Sequence, residues 1–368
     1  MTADLVIRYA GLPRGSRVRI RRGSLAGLGP FTREVTTARR VAVVSDATVA
    51  RLYGRRAMAS LAGAGVRASL ITVPPGERSK QPARLVRLWE QLAALGLTRR
   101  DAIVALGGGV VGDLAGFAAA TWLRGVHWVC VPTSLLAQVD SGVGGKTAVD
   151  LAAGKNLVGA FHQPAGVLVD PGTLATLPRR HLRAGLAEVV KMGMAVDAGL
   201  FRWIERHAPR LAAGEPAALA QAVSRAIRAK AAVVRADERE REGGRRTALN
   251  FGHTLGHALE ATCDYRGLRH GEAVAIGMRA AAALSQQVVG LRPGDRARLE
   301  ALLDAFHLPR RMPRVRLAAL RAAMARDKKR GDDSVRWVLT PRVGDASVPR
   351  HVSGGLVRAV LLEAGARK

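Results

Sequence analysis

Three imidazoles gather in one stretch of this chain, at His253 and His257 within Asn250-Phe251-Gly252-His253-Thr254-Leu255-Gly256-His257 and at His270 within His270-Gly271-Glu272. If the first run is helical, His253 and His257 stand four apart on one face, and Asn250 and Arg246 extend that polar stripe backwards by three and seven residues. A core helix would be apolar there. A second run, Gly185-Leu186-Ala187-Glu188-Val189-Val190-Lys191, puts a carboxylate and an ammonium three apart among apolar neighbours. A glutamate with two of these histidines is a donor set that suits a divalent metal such as zinc with one coordination position left for a substrate oxygen. Any one of the histidines alone reads as an ordinary core or surface imidazole; the set reads as a metal site.

Two further groups of residues point to anions. Gly107, Gly109 and Gly112 satisfy the G-x-G-x-x-G spacing directly after an apolar strand pattern and before a helical one. Glycines there let the backbone approach a pyrophosphate, and the helix that follows offers unpaired N–H groups. The usual acidic residue about twenty positions on is absent, because Val129-Cys130-Val131 stands there; Asp46 and Glu77, at the ends of two earlier strand patterns, are the better ribose partners. Asp140-Ser141-Gly142-Val143-Gly144-Gly145-Lys146 and Gly154-Lys155-Asn156 read as glycine-flanked loops, each presenting an ammonium. Gly144-Gly145-Lys146-Thr147 is not a phosphate-binding P-loop, since Asp140 occupies the place of that motif's first glycine. Arg124 adds a guanidinium fork suited to phosphate or carboxylate.

In this order, from about Asp46 to about Lys329, the motifs resemble the 3-dehydroquinate synthases of the sugar phosphate cyclase superfamily. The resemblance implies an α/β, Rossmann-like N-terminal nucleotide-binding domain and a mainly α-helical C-terminal metal-binding domain. It implies that Glu188, His253 and His270 bind one divalent metal, zinc or cobalt, with His257 handling protons beside them. It implies NAD held by Asp46, Glu77, Lys80, the loop Gly108-Gly109-Val110 through Asp113, Thr133, Ser134, Thr176 and Leu177, with Asp140, Lys146 and Lys155 also within its reach. Catalytic roles fall to Asp140, Lys146, Lys191, Arg246, Asn250 and His257, and substrate contacts to Arg124, Lys155, Asn156, Lys230, Lys328 and Lys329. The implied reaction converts 3-deoxy-D-arabino-heptulosonate 7-phosphate to 3-dehydroquinate and phosphate, a shikimate-pathway step of aromatic amino acid biosynthesis. It proceeds by NAD-mediated oxidation, phosphate elimination, reduction and aldol closure. The nearest alternative is a cyclase of the 2-deoxy-scyllo-inosose or valiolone type, whose substrate lacks the carboxylate; the intact cation set argues against it. A metal-dependent alcohol dehydrogenase would need no such crowd of cations.

These groups must be positioned by a chain of 368 residues, which predicts two domains. Apolar strand patterns at residues 40–46, 69–73, 102–106, 126–131 and 166–169 alternate with helical stretches at 49–64 and 83–94, the pattern of a parallel sheet covered on both faces. Residues 5–8 and 17–20 predict an opening hairpin, and 335–339 with 346–348 a small late one. Beyond Pro178 long Ala/Leu/Arg segments of helical period take over, which places the domains at 1–178 and 179–368. The formal charge of +29 invites a nucleic-acid reading, but the arginines are dispersed and aromatics make up only 4%, so neither a basic block nor a base-stacking surface forms. Two cysteines cannot build a disulfide framework. No run of 18 apolar residues and no signal pattern predict a cytoplasmic protein without membrane partners; the resemblance implies a homodimer.

Overall fold

The computed structural model describes the chain except residues 1, 10–11, 242, 264–266, 328–335, 347–349 and 368. It divides into two compact units, Met1–Leu177 and Pro178–Lys368.

The first unit is built on a seven-stranded sheet whose strands are β1 (Thr2–Tyr9), β2 (Leu12–Arg21), β3 (Arg40–Asp46), β4 (Arg67–Val73), β5 (Ala102–Gly107), β6 (His127–Pro132) and, after a separate hairpin, β9 (Gly166–Val169). Their spatial order is β1-β2-β9-β6-β5-β3-β4, parallel throughout from β2 to β4, with β1 antiparallel at the edge. Runs such as Ala-Ile-Val-Ala-Leu-Gly in β5 and Gly-Val-Leu-Val in β9 are buried at every position, as strands covered on both faces must be. Val41, Val43, Val104, Leu106, Val129 and Leu168 pack with Leu28, Phe31 and Leu61 into the core. β1 instead alternates, burying Ala3, Ile7 and Tyr9 while Asp4, Val6 and Arg8 face outward. The order reverses between β3 and β5, so their carboxyl ends, Asp46 and Gly107, flank the crevice where open α/β sheets bind ligands.

Of the two segments read as glycine-flanked loops, the first is a turn through residues 142–145 that leads into a hairpin, and the second lies within the hairpin itself. β7 (Lys146–Leu151) pairs antiparallel with β8 (Gly154–Phe161), Lys146 opposite Phe161. Lys146 therefore opens β7, and Lys155 and Asn156 open β8. Gly159 is needed there because a Cβ would stand 2.0 Å from the Thr147 carbonyl oxygen across the pair.

The second unit is helical. Three of its helices position the metal-type residues: Arg179–Ala195, His253–Thr262 and His270–Val288. Glycines let them close. A Cβ on Gly271 would lie 1.9 Å from the Ala184 carbonyl oxygen, and one on Gly277 would lie 1.9 Å from that of Gly252. The helix beginning at His270 is thus pressed against both others, one turn from Glu188 on one side and at the start of the His253 helix on the other. Arg336–Trp337 and Arg350–His351 form a two-stranded antiparallel pair where a late hairpin is expected, residues 335 and 347–348 of that expectation lying outside the described residues. Among the described residues no helix is long and apolar enough to cross a membrane.

Candidate active site

Glu188, His253 and His270 converge so that one ligand-type atom from each lies within 4.8 Å of the others. His270 Nε2 stands 3.6 Å and His253 Nε2 4.0 Å from Glu188 Oε1. A tetrahedral ion with bonds of roughly 2.0–2.1 Å would draw such atoms to about 3.3–3.4 Å apart, a small contraction. The Glu188 side chain is 0% exposed, and the Lys191 ammonium, 1% exposed, lies against its Oε2. The other oxygen, Oε1, which faces both imidazoles, accepts no hydrogen bond among the described residues. A buried carboxylate in that condition is costly unless a cation completes it, so the donor set fits a divalent metal. His253 Nδ1 faces the Phe251 carbonyl oxygen at 3.3 Å, which leaves Nε2 for the cation. His257 lies on the same helix with its ring 5.2 Å from that of His253. Burial works against a charged His270 ring, but Glu260, 3.0 Å from Nδ1, and Glu188 outweigh it and raise its pKa.

The stripe expected to run backwards from His253 does not. Arg245–Asn250 is a 3-10 turn, and Gly252 in the left-handed region, φ +80°, breaks the chain before the helix begins at His253. The polar face runs forwards instead, through His257 to Glu260. Sequence reasoning missed Glu260, although its spacing of seven from His253 and three from His257 was the available signal. Arg246 is 2% exposed, its backbone N–H donating to Asp237 at 3.2 Å and its Nη1 to the Glu238 carbonyl. Asn250 donates to Glu240 at 2.8 Å. Lys230 is buried on the helix Pro216–Ala236, which packs against the Arg245–Asn250 turn.

In the first unit the glycine loop follows β5 into the helix Gly109–Thr121, whose first i→i+4 bond runs from the Gly112 N–H to the Gly108 carbonyl. The N–H groups of Gly109, Val110 and Val111 precede that bond, an arrangement that favours an anion. A Cβ at Gly109 would press on Ser141 Oγ at 3.0 Å, and one at Gly108 would meet Ser134 Oγ at 3.5 Å, while one at Gly112 would meet nothing within 4 Å. The loop is a cradle that side chains would fill, and it fits a diphosphate. Asp46 stands at the carboxyl end of β3, its Oδ1 accepting from the N–H groups of Thr48 and Val49, both at 3.0 Å. Thr133 follows β6, its N–H donating to the Gly107 carbonyl at 2.9 Å. Thr176 meets the Tyr53 hydroxyl, which also donates to the Thr173 carbonyl at 2.9 Å, and Leu177 ends that turn.

Lys80 is the centre of a second cluster. Its ammonium contacts Asp113 and the side-chain oxygen of Asn156, with Asp150 at 4.0 Å. Burial alone would lower its pKa, and the carboxylates of Asp113, Glu77 and Asp150 reverse that and hold it above the ordinary lysine value. Burial raises the pKa of Asp150, which takes the Asn156 N–H at 2.9 Å, and Lys155 pairs with Glu77 at 3.2 Å. Glu77, Lys80, Asp113, Lys155 and Asn156 are therefore brought together, with Asp150 an addition the sequence reading lacked. Asp140 lies in the helical turn Ala137–Ser141, whose last residue stands beside Gly109 of the loop. Arg124 is not brought to this cluster. It is exposed on the turn Trp122–Arg124, φ +66°, at the amino end of β6 and so at the opposite edge of the sheet from Gly107. Lys328 and Lys329 lie outside the described residues.

Residues 70–184 match the family described as 3-dehydroquinate synthase N-terminal, and residues 185–330 match 3-dehydroquinate synthase C-terminal. A 3-dehydroquinate synthase of Pelobacter propionicus is 48% identical over 326 residues, which cover 89% of this chain and 90% of that protein. One of Caulobacter vibrioides is 48% identical over 335 residues, 89% of this chain and 90% of its own. Among solved structures, the 2-epi-5-epi-valiolone synthase of Streptomyces hygroscopicus subsp. jinggangensis with NAD+ and Zn2+ bound superposes with a TM-score of 0.87 at 32% identity over 97% of this chain and 99% of that one. A 2-deoxy-scyllo-inosose synthase complexed with carbaglucose-6-phosphate, NAD+ and Co2+ gives 0.89 at 27% over 99% and 100%. The two cyclase types weighed as alternatives share the architecture, and the relatives at nearly half identity carry the other name. The chain belongs to the 3-dehydroquinate synthase family.

Proposed function

We infer that this chain converts 3-deoxy-D-arabino-heptulosonate 7-phosphate to 3-dehydroquinate and phosphate, with NAD and one divalent metal, zinc or cobalt. The observation that carries the reading is Glu188, a fully buried carboxylate on which two imidazoles and an ammonium converge, its Oε1 facing both imidazoles. When bound, NAD supplies a reversible hydride acceptor, and the metal supplies a Lewis acid that lowers the pKa of a substrate hydroxyl. In this reading Glu188, His253 and His270 are the metal's ligands, and residues 179–368 form the metal- and substrate-binding domain. Lys191, held against Glu188, stabilises negative charge as it develops on the adjacent substrate oxygen. His257 moves protons at that oxygen, an imidazole being the side chain that titrates near neutral pH.

Residues 1–178 form the NAD-binding domain. Its loop from Gly108 through Gly109 and Val110 takes the pyrophosphate, with Asp46, Glu77, Lys80, Asp113, Thr133, Ser134, Thr176 and Leu177 around the nucleotide. Asp140, Lys146, Lys155 and Asn156 face both cofactor and substrate; the packing of Lys80 against Asn156 and of Lys155 against Glu77 supports that placement. Arg246 and Asn250 hold the carboxylate side of the substrate with Lys230, and Lys328 and Lys329 its phosphate, whereas Arg124, at the other end of its own sheet, would reach that phosphate only from a second copy of the chain. The protein works in the cytoplasm as a homodimer with a small sugar phosphate as substrate. Leu157 and Phe161, which β8 leaves 53% and 46% exposed, give a second copy an apolar surface to cover.

The test is phosphate release from the heptulosonate phosphate compared with sedoheptulose 7-phosphate and glucose 6-phosphate, with NAD present in catalytic amount. Many turnovers on the first substrate alone, without NADH accumulating, are expected. Preference for either of the other two makes this a cyclase of the valiolone or inosose type, and NADH rising in step with substrate consumed makes it a dehydrogenase.

A further inference from the structure

The helix His253–Thr262 carries Glu260 on the face that bears His253 and His257. Glu260 is 5% exposed, and its Oε2 stands 3.0 Å from His270 Nδ1, while the other ring nitrogen of His270 faces Glu188. An ionised carboxylate only accepts, so the proton of this contact belongs on Nδ1 and the lone pair on Nε2. The backbone at His270 is fixed separately: Glu272 Oε2 accepts the Arg269 N–H at 2.8 Å, and Arg180 forks onto the same carboxylate at 2.6 and 2.7 Å. Helix start and ring orientation thus have different guarantors. His253 is treated alike by a weaker partner, its Nδ1 facing a backbone carbonyl at 3.3 Å.

We propose that Glu260 is a positioning residue for the metal ligand His270, fixing by its contact with Nδ1 the tautomer and ring plane in which Nε2 meets the cation beside Glu188. The proposal rests on the metal reading above. The same atoms admit one competing arrangement, because His257, Glu260 and His270 also bring ligand-type atoms within 4.8 Å of one another. There Glu260 would itself be a ligand, and Glu188 and His253 would be dispensable.

Zinc affinity of the metal-free protein, measured by competition with a chromophoric chelator, separates these. Glu260→Gln keeps an acceptor for the Nδ1 proton but loses the charge, and should weaken zinc about tenfold; Glu260→Ala should weaken it about 100-fold, the upper range for an outer partner of a metal-bound histidine. His253→Ala should lose stoichiometric zinc, and His257→Ala should keep it. The ring 15N shifts of His270 in the metal-free protein should report Nδ1–H in the wild type and in Glu260→Gln, and mixed tautomers in Glu260→Ala. If the Ala variant does not fold, the Gln variant's affinity and tautomer decide alone. Zinc affinity within twofold of wild type in the Glu260 variants, with His253→Ala still losing it, overturns the positioning role and leaves the metal site standing. Zinc lost from Glu260→Ala and His257→Ala but kept by His253→Ala overturns both and makes Glu260 a ligand.

Discussion

Glu188 and Lys191 should be coupled strongly enough that removing either is worse than removing both. The two side chains are 0% and 1% exposed and in contact three residues apart on one helix. Glu188→Gln leaves the ammonium buried in front of a neutral amide, and Lys191→Met leaves the carboxylate buried before two imidazoles 3.6 and 4.0 Å away. Breaking a buried pair by truncating one partner costs about 3–5 kcal/mol, whereas replacing both partners by neutral groups of similar volume is often close to neutral. Each single variant of the metal-free protein should therefore lose about 3 kcal/mol or more, and the double variant only about 1–2 kcal/mol, a coupling of about 4 kcal/mol or more by the cycle. The chain has two units, so a single melting temperature would mix them. Native-state hydrogen exchange of the amides in Arg179–Ala195 reads the right unit. At about 1.4 kcal/mol per tenfold, those amides should exchange roughly 100-fold faster or more in either single variant and only about 5- to 30-fold faster in the double. Singles within 1 kcal/mol of wild type, or a double that loses the sum of the two, would refute the claim that this pair is buried and mutually dependent.

Other perturbations address other parts of the molecule. Gly271→Ala puts a Cβ 1.9 Å from the Ala184 carbonyl oxygen, so the helices must separate; unfolding of Pro178–Lys368 by denaturant should show a loss of about 1–3 kcal/mol, and zinc affinity should fall with it, although no ligand has been touched. Gly109→Ala crowds Ser141 at the glycine loop and should weaken NAD binding about tenfold or more by calorimetry, with the circular dichroism spectrum unchanged. Asp101 accepts the Thr98 N–H at 2.8 Å and its hydroxyl at 2.9 Å and pairs with Arg40 at 3.2 Å. Burial raises its pKa, but these partners outweigh it and hold the group below 3.8. A depressed folded pKa contributes stability that is present above the unfolded value and lost as pH falls through the folded one. The stability advantage of wild type over Asp101→Asn, measured by urea unfolding, should hold from pH 5 to 7 and shrink below pH 4.

Much of this was readable from residues alone where one rule governs a stretch. β3, β5, β6 and β9 are buried on both faces, so continuous apolar runs marked them, and the glycine spacing after β5 marked the anion cradle. The metal-type residues were legible as a set because each sits in a helical register among apolar neighbours. What failed did so at single dihedral angles. The periodicity around His253 was carried backwards through Gly252, whose φ of +80° ends one segment and begins another; no spacing reveals that, and Glu260 on the true side of the break went unread. The β7–β8 hairpin was hidden by the glycines at its ends: Gly144, Gly145 and Gly154 do take the positive φ of turn residues, and only Gly159 serves close approach between the strands. Asp150 became visible only once that hairpin placed it beside Lys80.

The break at Gly252 divides labour as well as structure. Arg246 and Asn250 bond to Asp237, Glu238 and Glu240, on a turn that ends before the glycine, whereas His253, His257 and Glu260 are carried on one helix after it. On the roles proposed for these residues, a substitution in the turn changes the side that would meet substrate without rotating a metal ligand, and a change in the helix alters the cation's surroundings without touching the turn. Selection acting on substrate choice and selection acting on metal affinity therefore fall on different segments.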